Sequence, residues 1–367
     1  MQFINLHDQY ARIAEDIQRR INSILDHGQY ILGPEVQELE AKLAAYAGTK
    51  YCVTTGSGTV SLEMALRALG IGCGDEVITV PYSFFATAEV IAIVGARPVF
   101  VDIRPDTFCI NEDLIEAAIT PRTKAVIPVS LYGQMPDLAK INAIAARHGL
   151  AVIEDGAQSF GAEQLHDGKK VRSCGATLIG STSFYPAKPL GGYGEGGALF
   201  TNDEALYEKF VMLRNHGSPK RDVHLMLGMN ARLDSIQAAI LLSKLGLFEE
   251  EIVLRNKVAD RYSLALANYA RTPFVVPGNR HVYAQYSMRF ANRDDVKARM
   301  AEKGIPTVTH YSRCMHEQPV FAYLGYKPED FPEALKASRE ILCLPMSPYL
   351  SEAEQDQVIS GLKTICG

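Results

Sequence analysis

The sequence predicts an α/β fold built on a mostly parallel, buried sheet, and two observations carry that expectation. Amphipathic helical stretches alternate with short β-branched runs through the first half of the chain, the rhythm of units whose sheet is covered on both faces. Beyond about residue 250 the pattern shifts to a second, shorter α/β region. With 367 residues the chain exceeds the usual single-domain size. A large domain over 1–250, with an N-terminal helical segment, and a smaller C-terminal α/β domain over 251–367 are therefore expected.

Taken in order, helical periodicity covers 9–26 and 34–46, and the short apolar run Tyr51-Cys-Val53 leads into a helical stretch over 59–69. The strand Val77-Ile-Thr-Val80 follows, then a helix over 84–94 and the strand Pro98-Val-Phe-Val-Asp102. A helix near 111–119, the strand Ala125-Val-Ile-Pro-Val129, a helix over 137–148 and the strand Ala151-Val-Ile-Glu-Asp155 continue the alternation. Apolar runs over 177–184 and 197–201 read as strands that complete the sheet. Helical segments over 204–214 and 233–255 connect to the second region, with strands over 286–291 and 306–310 and helices over 294–303 and 351–365. No internal repeat or low-complexity segment is visible.

Composition narrows the partners. A hydrophobic fraction of 47% with 22% charged residues is ordinary for a globular enzyme. The net charge of -5, without any dense Lys/Arg run, gives no electrostatic footprint for nucleic acid. The first residues have neither a basic head nor an apolar signal core, and no apolar stretch is long enough to span a bilayer, so no membrane partner and a cytoplasmic location are expected. Seven cysteines are scattered without a C-x-x-C pair or metal-ligand spacing. They read as reduced thiols, Cys314 between His310 and His316 included, and no metal site is expected.

Three segments carry chemistry. Lys188 ends Ser183-Phe-Tyr-Pro-Ala-Lys188 and precedes the flexible glycine run Gly191-Gly-Tyr-Gly-Glu-Gly-Gly197; an amine there suits Schiff-base chemistry if desolvation lowers its pKa. Alone, it reads more readily as a surface lysine in a turn. Thr55-Gly-Ser-Gly-Thr-Val-Ser61 opens a helix with small residues, which lets backbone N–H groups and the helix dipole meet an anion. It matches a dinucleotide fingerprint only in part, because Ser61 stands in place of the third glycine, and no G-K-[ST] tripeptide exists for a Walker loop. Asp155 and Gln158 stand at the end of a predicted strand, where open α/β sheets bind ligands. A carboxylate there can hold a heterocyclic nitrogen protonated.

In that chain order these blocks resemble the DegT-type sugar aminotransferases, a branch of the fold-type-I pyridoxal phosphate enzymes. The resemblance runs from Gln29-Tyr-Ile-Leu-Gly-Pro-Glu-Val36 through Gly74-Asp-Glu-Val-Ile78, Phe84-Phe-Ala-Thr-Ala88 and Ile153-Glu-Asp-Gly-Ala-Gln158. It continues through Ser183-Phe-Tyr-Pro-Ala-Lys188, Arg214-Asn-His-Gly217 and Asn230-Ala-Arg-Leu-Asp234 to His310-Tyr311. It implies a large domain with a mostly parallel, mixed seven-stranded sheet and a homodimer with composite active sites. The cofactor implied is pyridoxal 5'-phosphate, alternating with its pyridoxamine form.

The implied roles follow residue by residue. Lys188 would take the cofactor aldehyde, Asp155 would pair with the pyridine nitrogen, and Gln158 would lie near the phenolic oxygen. Gly58, Thr59 and Val60 would cradle the phosphate with the Ser183 hydroxyl, Phe84 would stack on the ring, and Asn230 would reach the neighbouring subunit's phosphate. Arg232, His310 and Tyr311 lie in blocks that resemble sugar-contacting segments. L-Glutamate is the implied donor and a nucleotide-linked keto sugar the implied acceptor. Lys188-Pro189-Leu190 and the run from Ile119 to Gly133 are most similar to the subgroup that aminates C3 of UDP-linked 2-acetamido-3-keto-glucuronic acid for surface polysaccharide. Amination of another keto sugar stays open. A related dehydratase branch carries His where Lys188 stands, and a nicotinamide oxidoreductase or a non-catalytic regulatory homologue are the remaining alternatives.

Overall fold

A computed structural model describes residues 1–166 and 168–367. Helix α1 (Leu6–His27) starts where the Asn5 side chain accepts the Asp8 N–H at 3.1 Å, and ends at Gly28 with φ 73°. Helix α2 (Pro34–Ala47) uses Pro34 in its first turn, where no N–H is needed. Strand β1 (Tyr51–Thr55) and helix α3 (Gly58–Ala68) follow, then β2 (Glu76–Thr79), α4 (Ala86–Ile93) and β3 (Arg97–Phe100). After β4 (Thr123–Val126), α5 (Leu138–His148) and β5 (Ala151–Asp155) comes a small hairpin, β6 (Glu163–His166) and β7 (Lys169–Arg172). Strands β8 (Ile179–Ser183) and β9 (Gly197–Thr201) complete the large sheet, and α6 (Glu204–Arg214), α7 (Ser235–Leu245) and α8 (Phe248–Leu266) follow. The remainder holds β10 (Tyr286–Arg289), α9 (Arg293–Glu302), α10 (Pro332–Glu340), β11 (Ile341–Leu344) and α11 (Glu352–Cys366).

The sheet has seven strands in the order β1-β9-β8-β5-β4-β2-β3. Pairings are parallel from β8 through β5, β4 and β2 to β3, whereas β9 runs antiparallel to both β1 and β8. The mixed, mostly parallel sheet is thus as expected. Successive side chains of each strand feed opposite cores: Cys52, Val126, Val152 and Phe200 enter one cluster, and Val53, Ala125, Ile153 and Leu199 enter the other. That period-two alternation of buried residues is what a helix layer on each face requires. A third cluster gathers residues from Val258 to Ile365 around the antiparallel β10–β11 pair. Residue 250 lies in the first turn of α8, which runs on unbroken into that cluster.

Several local expectations give way. The helix near 111–119 is two three-residue 3-10 turns, with Ile119 already extended two residues before Pro121. The stretch over 233–255 is broken between α7 and α8 at Gly246 and Leu247. The strand over 306–310 contributes a single bridge, Val308 to Cys343, since Pro306 cannot donate to a ladder. The β6–β7 hairpin, α10 and β11 are additional to the expected elements.

His281 illustrates how the two regions meet. It is buried, its Nδ1 accepts the Tyr283 N–H at 2.9 Å, and burial pulls its pKa down to about 3. The folded protein therefore keeps His281 neutral into acid, whereas the unfolded chain takes up the proton near 6.5. Its contribution to stability is complete above pH 6.5 and is lost as pH falls toward 3. Urea denaturation should show this group removing about 2 kcal/mol between pH 7 and pH 5. His281→Asn, which keeps an acceptor for Tyr283, should flatten that part of the slope; an unaltered slope would show the titration lies elsewhere.

Candidate active site

The C-terminal ends of the parallel strands converge on one edge of the sheet. Strand β5 ends at Asp155, which is buried and lined by two donors: the Thr87 hydroxyl gives to Oδ2 at 2.8 Å and the Ala157 N–H to Oδ1 at 3.2 Å. Burial raises the Asp155 pKa, while these two bonds and the charge of Lys188 pull it back. Its neighbour Glu154 faces away and is satisfied separately, accepting from the Ser130 and Ser173 hydroxyls at 2.6 and 2.7 Å and the Cys174 N–H at 2.7 Å.

Lys188 follows β8, its N–H bonded to the Tyr185 carbonyl at 2.9 Å. Burial lowers its pKa and the Asp155 charge opposes the shift, so the neutral, nucleophilic amine is more accessible than on a surface lysine. His310 lies near enough that the Lys188 charge adds to burial in lowering its own pKa. The glycine run after Lys188 is not a flexible loop. None of its glycines has a positive φ, and a Cβ on Gly191 would lie 2.5 Å from the Pro186 carbonyl oxygen. Glycine is required here for close packing.

The segment over 55–61 turns directly into α3. Ser57 caps α3, its hydroxyl accepting the Val60 N–H at 3.2 Å, so the Val60 amide is already engaged. The amides of Gly58 and Thr59 begin the helix and have no partner one turn back. A Cβ on Gly58 would come within 2.7 Å of the Ser183 Cβ, so α3 and the end of β8 approach as closely as glycine allows. Ala231 and Arg232 run beside this turn, the Gly56 N–H donating to the Ala231 carbonyl at 3.0 Å. Arg232 donates to the Asn215 side chain at 3.0 Å, while its buried Nε has no partner among the described residues. Asn230 is exposed beside it. No hydrogen bond joins Asn230 or Arg232 to the Lys188 group among the described residues.

A hydroxyl network fixes the remaining wall. Gln158 is buried; its Oε1 accepts the Tyr132 N–H at 2.8 Å and its Nε2 donates to the Tyr311 hydroxyl at 3.0 Å. The Tyr82 hydroxyl accepts the Tyr311 N–H at 3.0 Å and lies 3.0 Å from the His310 carbonyl, which also accepts from Tyr132. The His310–Tyr311 peptide is cis. Phe84 stands at the mouth with 55% of its surface exposed, its ring 6.3 Å from that of Tyr311. Thr87, Tyr82 and Tyr132 are the functional residues that sequence reading missed; Thr87 lay within a quoted block, and only the fold turns it toward Asp155. Cys314 is buried and its thiol pushed up to about 12 by that burial, which removes it as a nucleophile.

A desolvated amine, a buried strand-end carboxylate and a glycine-only anion turn define a transferase that works through a phosphorylated carbonyl cofactor. The chain belongs to the DegT/DnrJ/EryC1/StrS aminotransferase family, whose profile matches residues 11–363. It is 49% identical over 367 residues to UDP-2-acetamido-2-deoxy-3-oxo-D-glucuronate aminotransferase of Pseudomonas aeruginosa, covering 100% of this chain and 98% of that one. Among solved structures it is similar to a DegT/DnrJ/EryC1/StrS aminotransferase from Brucella abortus, with TM-score 0.95, 43% identity and full coverage of both chains. It also resembles NtdA from Bacillus subtilis with bound cofactor PMP, with TM-score 0.90 and 33% identity, covering 99% of this chain and 83% of that one.

Gly58→Ala should drive α3 away from Ser183 and weaken pyridoxal phosphate binding by about tenfold or more, as a misplaced phosphate turn implies. Reconstitution of cofactor-free protein followed by fluorescence measures this, and a wild-type Kd would show that the turn does not hold the phosphate.

Proposed function

We propose that this enzyme uses pyridoxal 5'-phosphate to move an amino group from L-glutamate to C3 of a UDP-linked 2-acetamido-2-deoxy-3-oxo-glucuronic acid. The observation that carries the reading is the joint placement of Lys188, Asp155 and the Gly58 turn on one sheet edge. Full-length similarity to an aminotransferase of that sugar supports the choice of acceptor.

The residues present fit the group. Its phosphate suits the open first turn of α3 and the Ser183 hydroxyl, its ring the exposed face of Phe84, and its nitrogen the Asp155 carboxylate. When bound, the cofactor supplies a carbonyl that accepts an amine and a ring that withdraws electrons from the adjacent carbon. Asp155 keeps the ring nitrogen protonated. Lys188, freed when the donor amine takes its place, would remove the proton at the donor α-carbon with Nζ and return it, across the amine nitrogen, to the cofactor's carbonyl carbon. Water would supply the keto oxygen of 2-oxoglutarate and leave the nitrogen on the cofactor; condensation with the keto sugar would expel its oxygen as water, and the reverse proton movement would deliver the nitrogen to the sugar carbon as Lys188 retakes its place. Burial lowers the Lys188 pKa and so favours the neutral amine, which serves as nucleophile and as base.

Gln158 and Tyr311 bound the phenolic side of the ring, and His310 and Arg232 are the groups we assign to the sugar and its diphosphate. We place Asn230 against the cofactor phosphate of a second copy, in a homodimer with composite sites. Support comes from the exposure of Asn230 and of Leu225 and Leu227 on the same segment, 68% and 91% exposed. Synthesis of a surface polysaccharide such as O-antigen, carried out in the cytoplasm, is the context this acceptor suggests. No helix among the described residues is long and apolar enough to cross a membrane.

L-Glutamate added to the holoenzyme should convert its visible absorption band to that of the pyridoxamine form, and initial rates should follow ping-pong kinetics. Lys188→Ala should abolish the conversion while cofactor still binds. Turnover by that variant at the wild-type rate would overturn the assignment, and the C3-keto glucuronate failing where another keto sugar reacts would overturn the acceptor.

A further inference from the structure

Resting on the function just proposed, we infer that Thr87 is a positioning residue whose hydroxyl orients the Asp155 carboxylate and so keeps the proton on the cofactor's ring nitrogen. Thr87 is completely buried in the first turn of α4, and its Oγ1 is 2.8 Å from Asp155 Oδ2. Ser83 Oγ lies 3.2 Å from the same hydroxyl and is itself buried. An ionised carboxylate can only accept, so the single Thr87 hydrogen points to Asp155, and Ser83 donates to the vacated lone pair. The result is a directed chain, Ser83 to Thr87 to Asp155.

Its geometry matters because Asp155 has two protein donors among the described residues. Ala157 holds Oδ1 from the loop after β5, and Thr87 holds Oδ2 from α4. The two oxygens are pinned from different elements, which fixes the plane of the carboxylate. Phe84 sits three residues before Thr87 in the same turn, the Thr87 N–H donating to the Phe84 carbonyl at 3.3 Å. One turn therefore presents both the stacking ring and the group that aims the acid.

Burial raises the Asp155 pKa, and the Thr87 hydrogen bond is the largest influence opposing it, ahead of the Ala157 N–H and the Lys188 charge. Tyr311 and Glu154 are the other ionisable groups at this strand end, and neither donates to Asp155. Without the Thr87 hydrogen the carboxylate becomes more basic and is free to rotate. A more basic carboxylate draws the proton from the ring nitrogen to its own oxygen, and a neutral ring withdraws fewer electrons.

Holoenzyme carrying pyridoxal phosphate labelled with nitrogen-15 in the ring reports that proton directly. Wild type should give the protonated signal. Thr87→Val, close in shape but without the donor, should move the signal toward the unprotonated position and lower kcat about tenfold or more, with the KM for glutamate nearly unchanged. Thr87→Ser should restore both. A Val variant with the wild-type signal would reduce Thr87 to packing, and so would a Ser variant that rescues nothing. Should the Val protein not fold, Thr87→Cys, a weak donor of similar size, must show the displaced signal or the inference fails. An unprotonated wild-type signal, or no cofactor uptake by wild type, would instead sink the functional reading beneath it.

Discussion

Desolvation of the sheet edge at Asp155 and Lys188 is the constraint on which the site depends. Burial pushes an acid up and a base down, and both shifts are present here in one pair. Each shift disfavours the charged form of its group. Two hydrogen bonds to the carboxylate counter this, as does the mutual attraction of the charges. What remains is a carboxylate still able to hold a proton on a neighbouring nitrogen, beside an amine nearer neutrality than any exposed lysine. Helices on both faces of a seven-stranded sheet are what exclude water from that edge.

Backbone proximity is the second requirement, and it follows from the topology. Strand β9 lies between β1 and β8, so the turn leaving β1 and the segment leaving β8 are brought side by side. A Cβ on Gly197 would meet the Ser57 backbone at 2.6 Å, and one on Gly58 would meet Ser183 at 2.7 Å. The turn at Gly58 and the segment that leads to Lys188 are thus two sides of one contact. A side chain at either glycine would separate the amides of α3 from the Ser183 hydroxyl, the two sources of donors for a phosphate.

Much of this was legible in the sequence, for identifiable reasons. Strands buried on both faces are continuous β-branched runs, so β2, β4 and β5 announced themselves, and Asp155 could be placed at a strand end. Lys188 and Gly58 were legible because chemistry and close packing restrict those positions to one residue type each. Thr87, Tyr82 and Tyr132 were not, since a threonine in a helix or a tyrosine after a strand has many ordinary uses. Their meaning lies in partners 68 residues away for Thr87 and 228 for Tyr82. Likewise α10 and β11 are defined by what they pack against: the Asp102 carboxylate accepts the Glu333 and Ala334 amides at 3.0 and 2.9 Å, a cap that no local window contains.

Coupling between chemistry and recognition is built into the tyrosine network. His310 and Tyr311 come from the C-terminal region, yet Tyr82 beyond β2 and Tyr132 beyond β4 hold their shared peptide. Gln158, three residues past Asp155, holds the Tyr311 hydroxyl. The wall that carries His310 and Tyr311 is therefore hung from the same sheet edge that carries Asp155 and Gln158. The segment after it turns inward: the Met315 N–H donates to the Pro81 carbonyl at 2.7 Å, and Phe321 packs 5.4 Å from Phe85. Variation inside that segment alters packing, whereas Tyr311, its ring 6.3 Å from that of the exposed Phe84, and its neighbour His310 border the opening. A fold arranged this way can change its sugar by exchanging those few side chains while the buried pair beneath them stays as it is.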